Sequence, residues 1–193
     1  HYEAGLYTAY EHLVREDIEL VAHLGDYIYE GANNPSAPAG SLSRSHQAWE
    51  PMTLEQYRNR YALYKSDAAL QAAHAAFPWI VTWDDHEVEN DYAAATSEGD
   101  IPTDEFLDRR AAAYQAWYEH MPVRVDPPVG PDLRIHRSLA HGDLVRFHVL
   151  DTTHPAAILE LVGSLDLERT LVVVASKSGT TLETRCHLDY VWE

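Results

Sequence analysis

The sequence holds a single cysteine, Cys186, in 193 residues. A disulfide within the chain and a cysteine-based zinc site both need more than one, so both are excluded. Positive charge is scarce as well. Lysine and arginine total 14 against 31 aspartates and glutamates, a net charge of −17 with histidine neutral. Nucleic acids and anionic membranes are bound through basic surfaces, so neither fits as a main partner. A phosphate substrate stays compatible, because a bound cation inverts the local field. No run approaches the roughly 18 apolar residues of a membrane-spanning helix. The opening residues His1-Tyr2-Glu3-Ala4 have neither methionine nor the basic-then-apolar pattern of a signal peptide, which reads as a processed or truncated chain.

Hydrophobic residues make up 46%, enough for a folded core, and the length suits one domain or one and a part. Residues 3–16 place Leu6, Tyr10, Leu13 and Val14 at helical spacing. Residues 18–24 read as a buried strand halted by Gly25-Asp26. Residues 31–52, rich in Gly, Asn, Pro and Ser, read as a long surface loop. Thr53 opens a helix with Gln56 at the capping-box position, and a second helix runs over 67–76. Trp79 to Trp83 is a short strand. Residues 103–120 are a helix with Thr103 as N-cap and Pro122 as terminator. Leu133–Leu139 and Leu144–Leu150 alternate around His141-Gly142-Asp143, a hairpin signal. Beyond Asp151, residues 155–167 read as helix, 170–175 as buried strand and 180–190 as helix. The fold class expected is α/β.

Two apolar strands each end in a burst of acidic or imidazole groups. One is followed by Gly25-Asp26-Tyr27-Ile28-Tyr29, the other by Asp84-Asp85-His86-Glu87. In open α/β sheets ligands bind beyond the carboxyl ends of strands, so Asp26, Asp85 and His86 are candidates for one site. Carboxylates held together repel unless a cation lies between them. A Tyr29 phenolate is a hard donor suited to ferric iron. A carboxylate bridging two metals sets them roughly 3.5–4 Å apart, the spacing used in phosphate ester hydrolysis. The competing reading makes Asp26 a turn or cap residue and Asp84-Asp85 a solvated loop.

Gly25-Asp26-Tyr27-Ile28-Tyr29 matches a G-D-x-x-Y element, and Trp83-Asp84-Asp85-His86-Glu87 resembles the W-D-D-H-E segment of alkaline phosphatase D (PhoD-like) proteins. The resemblance covers residues 1–150 and implies part of a metallophosphoesterase sheet with flanking helices. It implies a metal-dependent phosphate ester hydrolase with iron (Fe3+) and calcium (Ca2+). Asp26 would bridge the metals, Tyr29 would hold iron and Asp85 the second metal. His86 would be the acid at the scissile ester and Asn90 would contact substrate. Family ligand segments fall before residue 1 and after residue 150, so weak or absent metal binding and little hydrolysis are expected. An exported location is implied.

Residues 176–184, Ser-Lys-Ser-Gly-Thr-Thr-Leu-Glu-Thr, follow the strand of 170–175. Hydroxyls and backbone N–H groups at a helix start can hold phosphate, or simply cap the helix. The stretch resembles the signature of glucose-6-phosphate isomerase, a sugar isomerase (SIS) domain protein. That resemblance covers residues 151–193 and implies an αβα piece in which Ser176, Ser178 and Thr181 hold a sugar phosphate. The isomerase family is cytoplasmic. The two likenesses meet at Val149-Leu150-Asp151-Thr152-Thr153, which suggests a chimeric reading frame. The alternatives to a phosphatase are therefore a sugar-phosphate-binding fragment and a non-catalytic chimera.

Other residues have plainer expected roles. His23 reads as a packed strand histidine. His12, His74, His120, His136, His141 and His148 read as surface or hairpin positions. Tyr57, Tyr61 and Tyr64 read as core or interface, and Arg109-Arg110 as a salt-bridged helix surface.

Overall fold

A computed structural model describes residues 2–31, 42–46, 49–149, 160 and 162–170. The chain divides into two compact units, His1–Ile135 and His136–Glu193.

In the first unit, two three-residue strands, β1 (Val21–His23) and β2 (Trp79–Val81), pair in parallel with His23 opposite Val81. Parallel pairing needs a long crossover, and the segment between the strands contains helices α2 (Leu54–Lys65) and α3 (Ala68–Ala76). The register brings the carboxyl ends of both strands side by side, and the first acid of each cluster, Asp26 or Asp84, follows three residues after its strand ends. Helix α1 (Thr8–Leu13) precedes β1, and α4 (Thr103–His120) follows β2.

The helix starts follow from local chemistry. Thr53 accepts from the Gln56 N–H while the Gln56 side chain accepts from the Thr53 N–H, a complete capping box. Asp67 caps α3 by accepting from Leu70 N at 3.0 Å. On α4 the N-cap is Pro102 rather than Thr103, because the Pro102 carbonyl accepts the Phe106 N–H at 2.8 Å and Thr103 is already helical.

The core is aromatic. Tyr57, Tyr61 and Tyr64 line the buried face of α2, opposite Phe106, Ala113 and Trp117 of α4. Arg109 departs from the expected helix surface: it is 1% exposed. His74 also departs from a surface role. Its ring stacks on Trp79 at 4.0 Å, and its Nε2 lies 2.9 Å from the Tyr27 hydroxyl. His23 is packed as expected, with its ring 5.8 Å from that of the same Trp79.

These two histidines make stability depend on pH. Burial pushes both down to about 4, aided in His23 by the His74 charge and in His74 by the Lys65 charge. Unfolded, each would titrate near 6.5. The unfolded chain therefore binds more protons between those values. This contribution is fully present above about pH 6.5 and is lost as pH falls toward 4. For His23 the displacement is worth at most about 3 kcal/mol; the half-exposed His74 adds less, since water screens it. Urea midpoints are expected to fall between pH 7 and pH 5, and to fall less in His23→Phe.

In the second unit, β3 (Arg137–His141) and β4 (Val145–Val149) form an antiparallel hairpin from Arg137↔Val149 to His141↔Val145. Gly142 turns it with a φ of 55°. Residues 160 and 162–164 are helical and Leu167–Arg169 form a 3-10 turn. The strand expected at 170–175, apart from Thr170, and the helix at 180–190 lie outside the described residues.

Candidate metal centre

Gly25, two residues beyond β1, has a φ of +108°, and a Cβ there would fall within 3 Å of Trp83-Asp84. Asp26 follows at a φ of 55°, a left-handed conformation uncommon outside glycine. Glu87 holds this turn in place. Its carboxylate, 1% exposed, accepts the N–H groups of Asp26 (3.1 Å), Tyr27 and Asp84 (2.7 Å). It thereby ties the end of β1 to the end of β2. Burial pushes the Glu87 carboxyl up to about 8, against the N–H groups of Asp84 and Tyr27 that favour its charge.

Beyond β2, residues Asp85–Glu87 form one 3-10 turn. The Asp85 carboxylate accepts from His86 N (3.0 Å) and Asp91 N (2.7 Å). Asp26, Asp85 and His86 each offer a donor atom, and these atoms all lie within 4.8 Å of one another. The Tyr29 hydroxyl donates to Asp26 Oδ2 at 2.9 Å, and its ring lies 4.3 Å from that of His86. Burial, then the charge of Asp26, raise the Tyr29 phenol above its ordinary value. Asp84 is raised by burial and by Asp85 and Asp26.

His86 is 8% exposed. Burial opposes its positive charge, but the hydrogen bond and charge of Glu30, with Asp85 and Asp26, prevail and hold it above the usual histidine value. Two oxygens and a nitrogen at this spacing fit a hard or borderline cation. Four of the candidate residues thus meet at one place: Asp26, Tyr29, Asp85 and His86. Asn90 joins through its backbone, while its side-chain amide donates to Asp91 (3.1 Å) and Glu98 (2.8 Å). Ser176, Ser178 and Thr181 lie outside the described residues.

Glu30 is not among the residues the sequence points to, and Glu87, part of the acidic cluster, serves as a brace for the turn. Glu30 Oε2 meets His86 Nδ1 at 2.7 Å across 56 positions. The available signal was an acid directly after Tyr29 in an otherwise aromatic and apolar stretch.

The family model of the PhoD-like phosphatases matches residues 1–157. The chain belongs to the PhoD-like phosphatase family. Alkaline phosphatase D of Bacillus subtilis (strain 168) is 56% identical over 153 residues, covering 78% of this chain and 26% of that protein. The solved structure of PhoD matches with a TM-score of 0.73 and 55% identity over 78% of this chain and 29% of its own. This PhoD-like chain thus spans about a quarter of the length of the phosphatase it matches. A separate similarity links 40 residues, 21% of this chain, to glucose-6-phosphate isomerase of Thermus thermophilus, at 55% identity and 10% of that protein. Among the described residues no helix is long and apolar enough to cross a membrane.

Proposed function

We propose that residues 1–150 carry part of a metal-dependent phosphate ester hydrolase site of the alkaline phosphatase D type. The observation that carries this reading is the meeting of Asp26, Asp85 and His86 at the ends of two paired strands. Carboxylates that close are tolerated when cations lie between them. Asp26 would bridge the cations, Tyr29 would hold iron as its phenolate, and Asp85 would hold calcium. The cations supply Lewis-acid charge for a phosphoryl oxygen. His86, hydrogen-bonded to Glu30, would be the acid that passes a proton to the leaving alkoxide. The substrate would be a small phosphate ester, which Asn90 would contact. Export goes with this role.

Because the chain spans about a quarter of the phosphatase it matches, calorimetric titration with calcium and with a ferric chelate is expected to show weak binding, and p-nitrophenyl phosphate is expected to be cleaved slowly. Asp26→Ala is expected to reduce both by at least about 100-fold. A wild-type chain that takes up neither metal overturns the reading.

The isomerase similarity favours a second role for residues 151–193, in which Ser176, Ser178 and Thr181 hold a sugar phosphate. Phosphosugar binding that survives chelation of metals and is lost in Ser176→Ala/Thr181→Ala is the expected sign.

A further inference from the structure

Glu30 is a buried acid, 5% exposed, and both of its oxygens are engaged. Oε2 meets His86 Nδ1 at 2.7 Å, and Oε1 accepts the Asn90 N–H at 2.9 Å. A carboxylate only accepts hydrogen bonds. The nitrogen it meets must therefore carry a proton, so neutral His86 is held as the Nδ1–H tautomer. We propose that Glu30 is a positioning residue for His86, fixing its tautomer and ring orientation so that Nε2 is the atom through which it acts. The proposal rests on the hydrolase reading for its catalytic consequence, but not for the tautomer.

Glu30 is itself held firmly. Arg60, 3% exposed and on α2, donates through Nη1 to the carbonyls of Tyr29, Glu30 (2.9 Å) and Gly31 (3.2 Å). Tyr64, one turn further along α2, accepts the Tyr29 N–H at 3.0 Å. His46 Nδ1 reaches the Gly31 carbonyl at 2.6 Å. The carbonyls of residues 29–31 and the Tyr29 N–H are thus fastened to α2 and to His46. The carboxylate projecting from them is a fixed reference against which the imidazole is set. The Tyr29 ring at 4.3 Å limits rotation of the imidazole from one side. Such a carboxylate–histidine pair fixes ring orientation and raises basicity at the opposite nitrogen.

Glu30→Gln tests this without loss of volume. The Asn90 N–H can only donate, so it takes the single amide oxygen. The amide NH2 then faces His86 Nδ1, which must accept. The tautomer is expected to reverse, from mostly Nδ1–H in the wild type to mostly Nε2–H. Long-range 1H–15N correlation NMR of the full chain without added iron, at mildly alkaline pH, reads this directly. Glu30→Ala is the second variant and is expected to reverse the tautomer as well. Nδ1–H persisting in both variants overturns the proposal.

The catalytic consequence is read with two esters. Glu30→Gln is expected to lower kcat on an alkyl phosphate, whose leaving group needs a proton, by about 100-fold. The nitrophenyl ester, which leaves without one, is expected to change by less than about 5-fold, with KM little altered. Equal slowing of both esters would mean a merely structural role and overturns it. A wild type with no hydrolysis at all counts against the hydrolase reading, while the tautomer result still decides Glu30.

Discussion

Gly25→Ala is expected to destabilise the first unit by about 4 kcal/mol and to open the candidate metal centre. A Cβ at this position would sit 2.5 Å from Asp84 Cβ, 2.6 Å from Asp84 N and 2.8 Å from the Trp83 carbonyl carbon. These are backbone or near-backbone atoms, which cannot swing aside as a flexible side chain would. The φ of +108° adds strain of its own, since a side chain rarely adopts it. Relief requires the ends of β1 and β2 to separate. That movement would pull the Asp26 and Tyr27 N–H groups away from Glu87 and spread the Asp26–Asp85–His86 cluster. Urea denaturation is expected to show the loss of stability, and calcium titration a matching loss of affinity. Gly5→Ala is the control: its Cβ meets nothing within 4 Å, and stability is expected to stay within about 0.5 kcal/mol. A Gly25→Ala protein as stable as that control would show that the two strand ends do not pack as described.

Part of this architecture is written in the sequence. The 18-residue run from Thr103 to His120 forms α4 because helical periodicity persists over five turns and Pro122 follows. The Thr53–Gln56 cap is legible because both partners lie within one turn. The convergence of Asp26 with Asp85 and His86 follows from strands that end in glycine or acid, since parallel pairing places such ends together. What the sequence does not show is which distant side chains and peptides brace the site. Glu30 and His86 are 56 positions apart, and Glu87 and Tyr27 are 60 apart. No periodicity links such pairs. A buried carboxylate also looks, in a sequence, like any solvated one. Glu87 was read as one member of an acidic burst at the site, yet its role is to accept three backbone N–H groups and fix the turn that carries Asp26. The aromatic series Tyr57, Tyr61 and Tyr64 was legible as core, but Arg60 between them was not. Its function is to hold peptides of the 29–31 segment rather than to face water.

Arg109→Met is expected to cost about 4 kcal/mol, and the reason again lies in the site's supports. Arg109 lies on α4, where Asp108 and Arg110 suggest a charged surface, yet its guanidinium is buried. Nε donates to the Tyr57 hydroxyl at 2.9 Å, Nη1 to Glu89 at 2.9 Å, and Nη2 to the Val88 carbonyl at 3.1 Å and to Glu50. Val88 and Glu89 follow His86-Glu87 directly, so this one side chain anchors the far edge of the Asp85–Glu87 turn to α4. Methionine fills much of the volume but supplies no donor. Glu89, 6% exposed, would keep the Ser97 hydroxyl at 3.0 Å and lose its buried cation. An uncompensated buried carboxylate is the costly outcome, more than the loss of attraction between the two charges. The double variant Arg109→Met/Glu89→Met removes that orphaned charge and is expected to recover most of the loss, to within about 1–2 kcal/mol of wild type. Urea unfolding of the wild type, both single variants and the double variant measures the coupling. A double variant as unstable as the sum of the singles would show that Arg109 and Glu89 act independently, and that α4 does not brace the turn through this pair.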